Sequence, residues 1–320
     1  MNYLDLFSGI GGFSLGFKKA GFQFENHYAS EIDKYARSIY ERQIHGSIQL
    51  GNIKKIKNGL EKIDIITGGF PCQTFSIAGG RRGFDDTRGT LFFEIERLAE
   101  IYRPCYMVLE NVKGLYSHEQ GNTIRVILEK LRGLNYFVQL LLLNTKDFDV
   151  PQNRERCFFI CSTPEERRPE ILHLRERKTE VACSEITKNQ SQGYRVYNDD
   201  CSVTLASEAG GVGAKTGLYA IPCLSPDRVE KRQNGRRFKD NGDPMFTLTA
   251  QDRHGILIQD MNIRRLTPIE CERLQGFPDD WTKYGKDGEL ISDSQRYKCC
   301  GNAVTVDVVK EIAKAIKEVI

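Results

Sequence analysis

One thiol, one carboxyl and two guanidiniums of this 320-residue chain stand where side chains can do chemistry. Cys72 follows the apolar run Ile63-Asp64-Ile65-Ile66, inside Gly68-Gly69-Phe70-Pro71-Cys72-Gln73-Thr74-Phe75-Ser76. The run alternates as a strand entering a parallel sheet does, and the two glycines end it. A cysteine just past a strand end, behind a rigid proline, is placed where α/β enzymes keep reactive groups. The competing use of a free cysteine is as a small buried hydrophobe, and this chain has ten cysteines. Glu110 closes the run 106–109 and precedes Asn111-Val112, which sets it at the same sheet edge as Cys72. A carboxyl there is either a partly buried acid with a raised pKa or a helix cap. Arg154 and Arg156, in Pro151-Gln152-Asn153-Arg154-Glu155-Arg156, share one side of an extended segment. Taken alone, they read equally as surface partners of Glu155 or Asp149.

Two further features concern a cofactor. The turn Asp5-Leu6-Phe7-Ser8-Gly9-Ile10-Gly11-Gly12 lets a ligand approach the backbone between a strand and a helix N-terminus. It is neither the dinucleotide G-x-G-x-x-G pattern nor a P-loop, whose lysine is missing. Glu31, at the end of the next strand, is the residue type that grips ribose hydroxyls in doubly wound folds. Together the turn and Glu31 point to an adenosine-containing cofactor. The segment Gly80-Arg81-Arg82-Gly83-Phe84-Asp85-Asp86-Thr87-Arg88-Gly89 reads as a loop whose glycines permit hinging and whose arginines can reach phosphate.

The elements that must position these residues alternate through the first ~160 residues as strands and helices, the pattern of a parallel sheet with crossovers. Strands are expected over 3–7, 24–30, 63–67 and 106–109. Helices are expected from residue 13, from Leu91 (with Ile95, Leu98 and Ile101) and, after a cap at Asn122 or Thr123, up to a stop at Gly133. Runs 136–143 and 156–161 predict an antiparallel pair at the sheet edge. Residues ~179–262 are short strand-like runs rich in glycine, a β module inserted before helical patterning returns at Thr267. Val309, Ile312, Ala313, Ile316 and Val319 give the last helix one apolar side. The first strand has no helix before it, so this last helix is expected to cover it, joining residues 1–178 and 263–320 into one domain around a second domain at 179–262.

Bulk properties narrow the function classes. An apolar fraction of 40% supports a real core, and no apolar run approaches membrane-spanning length. The ten cysteines, with no apolar leader, imply a reducing cytosol. Without a Cys-x-x-Cys pair, and with five scattered histidines, a structural metal is not expected. Net charge is only +3, but residues 228–239 carry six basic side chains against Glu230. That run is either a solvated loop or a nucleic-acid contact.

The chain resembles a DNA (cytosine-5) methyltransferase of the bacterial restriction–modification type. Residues 5–12 resemble the family's first cofactor motif, Gly69-Phe70-Pro71-Cys72-Gln73 its nucleophile motif and Glu110-Asn111-Val112 its acid motif. Gln152-Asn153-Arg154-Glu155-Arg156 matches its paired-arginine motif. Arg265-Leu266-Thr267-Pro268-Ile269-Glu270-Cys271, running on to Gln275-Gly276-Phe277-Pro278, and Gly301-Asn302-Ala303-Val304 resemble its last two motifs. Six motifs stand in the family's order.

The resemblance implies a doubly wound, mostly parallel α/β sheet of the class I, Rossmann-like methyltransferase kind, with a smaller β-rich target-recognition domain. It implies S-adenosylmethionine as cofactor, no metal, and duplex DNA as partner. Cys72, Glu110, Arg154 and Arg156 are then the catalytic residues. Asp5, Phe7, Gly9, Gly11, Gly12, Glu31, Ile32, Asn52, Ile53, Gly69, Leu91 and Asn302 belong to the cofactor pocket. Asn52 departs from the family, which often carries an acid there for the adenine amino group, so altered affinity is expected. DNA contacts are expected from Ser76, Arg81, Arg82, Arg88, Lys215, Arg236, Arg237 and Arg253. The resemblance also implies a cytoplasmic monomer from a bacterium or phage, with a cognate restriction endonuclease possible but no stable complex.

Three rival readings have cheap discriminators. An RNA cytosine methyltransferase would act on transfer RNA rather than duplex DNA. A thiol hydrolase pairing Cys72 with His118 would die with His118→Ala and would not bind S-adenosylmethionine. A non-catalytic DNA-binding relative has no need of Cys72, Glu110 and Arg156 together.

Overall fold

The computed structural model describes residues 1–71, 91–169, 196–197, 218–219, 221–226, 236–240, 243–258 and 262–320. Strand β1 (Asn2–Leu6) has Tyr3, Leu4 and Leu6 wholly buried, as befits a strand covered on both faces. It pairs in parallel with β2 (Asn26–Ser30) on one side and β4 (Ile65–Gly69) on the other. Strand β3 (Ile48–Gln49) extends the sheet beyond β2, and β5 (Tyr106–Val112) extends it beyond β4, again in parallel. An antiparallel pair, β6 (Phe137–Asn144) and β7 (Glu155–Ser162), completes the order β3-β2-β1-β4-β5-β7-β6. The chain winds one way from β1 and the other way from β4. The crevice between their carboxyl ends is therefore the topological switch point where doubly wound sheets bind ligands.

Helices α1 (Gly12–Lys19), α2 (Lys34–Gln43), α3 (Leu91–Tyr102) and α4 (Asn122–Gly133) supply the crossovers. Asp33 caps α2 by accepting from the Tyr35 and Ala36 amides, and Thr267 with Glu270 forms a capping box at α5 (Pro268–Arg273). Helix α6 (Asp293–Asn302) leads to α7 (Val306–Lys317), whose Val309, Ile312 and Ile316 join Tyr3, Phe13 and Phe17 in one core cluster. The last helix thus covers the first strand, as its apolar side predicts. The crossing is close: a Cβ on Gly16 would lie 2.5 Å from Val309 Cγ1 and 2.7 Å from its Cβ. Gly16→Ala is expected to destabilise the fold by about 1–3 kcal/mol through overpacking, read as a lowered midpoint in thermal unfolding.

Some boundaries differ from the sequence reading. Strand β5 runs through Glu110 to Val112 because β7 keeps pairing there, Glu110 opposite Phe158 and Val112 opposite Arg156. Glu110 therefore sits within a strand and caps nothing. Strand β2 starts at Asn26; Phe24 instead stacks its ring on Tyr3. Helix α4 is capped by Gly121 in a left-handed conformation, so neither Asn122 nor Thr123 is its cap.

Most of residues 179–262 lies outside the described residues. The described part includes a short parallel pair, β8 (Val196–Tyr197) with β9 (Leu218–Tyr219), and an antiparallel sheet of β10 (Ile221–Leu224), β11 (His254–Ile258) and β12 (Asn262–Arg265). Met245, Leu248 and Ile256 share a core cluster with Leu266, Leu274 and Cys300, so this segment is sewn to the C-terminal helices. Among the described residues no helix is long and apolar enough to cross a membrane.

Candidate active site

A cavity of about 480 Å³ opens at the carboxyl ends of β1, β2, β4 and β5. One side is built by the turn 7–12. Its shape requires left-handed backbone at Phe7 (φ 52°), Gly9 (φ 53°) and Gly11 (φ 91°). The Ser8 amide donates to Ser30 O, and the Gly9 amide donates to Glu31 Oε2 at 2.9 Å. Glu31 Oε1 accepts from the amides of Ile32 and Asp33, both at 2.8 Å. Glu31 thus shapes the rim of its own pocket while lying on it. The far side of the turn is tied down by late residues: the indole of Trp281 donates to Ile10 O at 2.9 Å. A Cβ on Gly12 would sit 2.6 Å from Val304 O, so the first and last glycine motifs meet.

The opposite side carries Glu110 and Arg156. Arg156 Nε lies 3.0 Å from Glu110 Oε1, with both side chains mostly shielded from water. A Cβ at Gly69 would lie 3.0 Å from Glu110 Oε2, so glycine there makes room for the carboxyl. Asn111 Nδ2 donates to Phe70 O at 2.9 Å, tying the Phe70-Pro71 stretch, which leads into Cys72, to strand β5. Cys72 lies outside the described residues, as do Ser76, Arg81, Arg82, Arg88 and Lys215.

Arg154 does something the sequence does not reveal. Its guanidinium is buried and donates to three carbonyls: Leu248 O at 2.7 Å, Gly301 O at 3.2 Å and Ala303 O at 2.7 Å. Burial, reinforced by the Arg156 charge, pulls its pKa down to about 9. The wall it clamps is tight, since a Cβ on Gly301 would lie 2.3 Å from the Thr249 carbonyl carbon. Gln152 braces the same wall, accepting from Leu248 N at 3.0 Å and donating to Leu274 O. Asn111 and Gln152, which stand in two of the motifs without a task assigned to them, and the segment 248–250 are further site-builders. Their places in the motifs at 110–112 and 152–156 are the signal the sequence offers.

The remaining expected cofactor residues divide. Phe7, Gly9, Glu31, Gly69 and Asn302 line the cavity. Asp5 does not: it is wholly buried beneath the turn and bonded to Ser14, Thr67 and Tyr40. Gly11 is packed against Tyr40 and Ile44. Ile53 is core, Leu91 packs on that core, and Ile32 is 74% exposed. Asn52 Oδ1 accepts from the Lys54 amide at 3.0 Å, so its oxygen is engaged in capping a short turn. Of the basic residues expected at DNA, Arg236 is bound to Asp240 and Asp243, Arg237 lies over the Phe238 ring and Arg253 is exposed. His118 bonds to Thr123 Oγ1 at 2.7 Å and does not line the cavity. Among the described residues no group of His, Cys, Asp and Glu is placed to hold a metal ion.

Sheet order and cavity together define a class I methyltransferase fold. The description C-5 cytosine-specific DNA methylase matches residues 1–318, and the chain belongs to that family. It is 33% identical to the orphan methyltransferase M.SPRI of Bacillus phage SPR, over 99% of this chain and 97% of that one. It is 34% identical to the type II methyltransferase M.NlaX of Neisseria lactamica, over 98% and 95% of the two chains. The fold is similar to a putative DNA modification methyltransferase encoded within an E. coli prophage, with TM-score 0.67, 21% identity and 100% and 99% coverage. A DNMT2 mutant of Spodoptera frugiperda matches with TM-score 0.61, 19% identity and 99% coverage of both chains. The enzyme class is thus DNA (cytosine-5) methyltransferase, which sets aside the hydrolase reading with His118.

Proposed function

We propose that this chain moves a methyl group from S-adenosylmethionine to carbon 5 of a cytosine flipped out of a short specific duplex sequence, through a covalent bond between Cys72 and carbon 6. The observation that carries the reading is the Glu110–Arg156 pair, set in one cavity with Phe70-Pro71 and with Glu31. Ring nitrogen 3 and the 2-keto oxygen are neighbours on cytosine, as the carboxyl and guanidinium are neighbours here.

The cavity fits an adenosine cofactor. A Cβ at Gly9 would meet only Phe7 O, at 4.0 Å, so the turn leaves open space against its backbone. A carboxylate has about four acceptor positions. Three on Glu31 are taken by amides, which leaves one for a ribose hydroxyl. Phe7 would stack near the adenine, and Asn302 would close the pocket. When bound, the cofactor supplies an electrophilic methyl group.

The chain's own residues prepare the base. The Cys72 thiolate adds to carbon 6, since a thiolate is the strongest side-chain nucleophile available. Glu110 holds or protonates nitrogen 3 as the ring gains electrons, and Arg156 binds the 2-keto oxygen. Carbon 5 becomes nucleophilic and accepts the methyl group; loss of its proton then returns the electron pair that expels the thiolate. A stacked base is out of reach, so flipping is required. Arg154 acts as a positioning residue. Ser76, Arg81, Arg82, Arg88, Lys215, Arg236, Arg237 and Arg253 are proposed DNA contacts.

The proposal extends to a two-part chain, residues 1–178 with 263–320 for catalysis and 179–262 for target recognition. It works as a cytoplasmic monomer without metal, as a modification or orphan prophage methylase. Bisulfite sequencing of DNA from expressing cells should reveal one methylated cytosine motif, absent with Cys72→Ser. No such motif, or its persistence in Cys72→Ser, overturns the proposal.

A further inference from the structure

Beneath the turn 7–12 lies a closed set of polar side chains drawn from five elements. Asp5 of β1 accepts from Thr67 Oγ1 of β4 at 2.9 Å and from Ser14 Oγ of α1 at 2.6 Å. Tyr3 Oη is 2.5 Å from Thr67 Oγ1. Tyr40 Oη of α2 is 2.6 Å from Ser14 Oγ and 3.3 Å from Asp5, and His27 Nε2 of β2 lies 2.7 Å from Tyr40 Oη. Asp5, Tyr3, Tyr40, Ser14 and Thr67 are buried, whereas His27 is partly exposed.

Each hydroxyl has one proton, which limits the bonding once the state of Asp5 is chosen. With Asp5 ionised, Thr67 and Ser14 donate to it, Tyr3 donates to Thr67, Tyr40 to Ser14 and His27 Nε2–H to Tyr40. Every proton then points toward one carboxylate. With Asp5 protonated, one arm must run backwards. The Thr67 arm can do so only if the buried Tyr3 hydroxyl gives up its 2.5 Å bond to Thr67 and turns to Ser14. The Ser14 arm can: Asp5 donates to Ser14, Ser14 to Tyr40 and Tyr40 to His27 Nε2, while the imidazole carries its proton on Nδ1.

Both arms touch the site. Ser14 opens the helix that follows the turn, the Tyr40 ring lies against Gly11, and Thr67 stands two residues before Gly69. Phe7 holds a left-handed backbone two residues after Asp5, a conformation that persists only where the surroundings over-determine it. We propose that Asp5 is a positioning residue for the cofactor turn, and that its ionised form, as the end acceptor of a hydrogen-bonded chain reaching His27, is the state competent to bind the cofactor. The proposal rests on the adenosine-cofactor reading above.

The groups facing Asp5 are Tyr3 on its own strand, His27 and Glu31 from β2 and the turn after it, Tyr40 from α2, and the neutral Ser14 and Thr67 from α1 and β4. Burial pushes the Asp5 carboxyl up to about 7, with the Glu31 charge adding in the same direction. Burial pushes His27 down to about 4, so it relays protons while staying neutral. Asp5 therefore changes state within the working pH range.

The test uses the full chain and S-adenosylhomocysteine as probe, titrated calorimetrically from about pH 6 to about pH 8. If only the ionised form binds, wild-type affinity rises about tenfold over that range. Asp5→Asn removes the charge in nearly the same volume, and its affinity should be weak and flat. Its thermal midpoint at the upper pH should equal or exceed that of wild type, because a buried charge is gone. A merely structural role predicts the reverse, a less stable variant with an unchanged pH slope. Nitrogen NMR of His27 reads the chain without any cofactor: Nε2–H at high pH and Nδ1–H at low pH in wild type. Tyr40→Phe leaves His27 only the 3.2 Å Ser14 contact, so it should mute the switch. A pH-independent tautomer, or an Asp5→Asn that keeps the wild-type pH slope in affinity, overturns the inference. A wild type that switches tautomer but binds no probe overturns instead the adenosine-cofactor reading.

Discussion

Arg156→Ala lowers kcat for methyl transfer by about 10²–10³-fold, the cost of deleting one preorganised donor at a developing negative charge. Two losses contribute. On the proposed mechanism, the 2-keto oxygen loses its guanidinium as the ring takes up electrons from Cys72. Glu110 loses the partner that holds its carboxyl 3.0 Å away in a shielded site. Because the proposal sets the two on adjacent atoms of one ring, their deletions should not add: Glu110→Gln with Arg156→Ala costs little more than the worse single variant. DNA affinity of both variants should stay close to wild type, since neither is assigned a phosphate. Single-turnover transfer to a duplex substrate, with binding measured separately, checks this. A fully additive double variant, or a loss confined to DNA binding, would falsify the assignment.

Arg154→Ala has its largest effect on stability. It strips the donors from three carbonyls, those of Leu248, Gly301 and Ala303, and leaves a void the size of a guanidinium. A buried acceptor without a partner costs about 1–3 kcal/mol, and the buried cation's own desolvation offsets part of the sum. The expected net is about 3–5 kcal/mol, in the range where only a broken buried network reaches. Arg154→Lys keeps the charge but offers a compact ammonium in place of a fork, so it should recover only part of the loss. Denaturant unfolding of both variants tests the point. If Arg154→Ala is as stable as wild type while its chemistry fails, Arg154 belongs with Arg156 as a direct contact.

The contrast between these arginines shows what the sequence can and cannot tell. Two residues apart on an extended segment, they share a side, and motif reading gives them one task. Arg156 meets Glu110, another residue of the same readable half. Arg154 meets backbone carbonyls of 248, 301 and 303, and no side-chain pattern marks a carbonyl as an acceptor. Asp5 is a similar case. As the first residue of a cofactor motif it reads as a ligand contact, but its partners Ser14, Tyr40 and Thr67 are hydroxyls scattered over three elements, each unremarkable alone. Hydrophobic periodicity, by contrast, placed the strands and the covering role of α7 because burial on one side is written into local spacing. It erred at Glu110 because strand length there is set by β7, a partner about 45 residues away.

The crossing of α1 and α7 also orders events in time. Gly16 is made early and Val309 about 290 residues later. At ribosomal speeds of about 5–20 residues per second, the face of Tyr3, Phe13 and Phe17 waits on the order of 15–60 s for its cover. The Arg154 clamp on Leu248, Gly301 and Ala303 waits about half as long. An interrupted chain therefore carries an open apolar face and an unbuilt pocket wall, a substrate for chaperones and proteases. Synthesis to the final helix is the step that converts it into a finished catalyst.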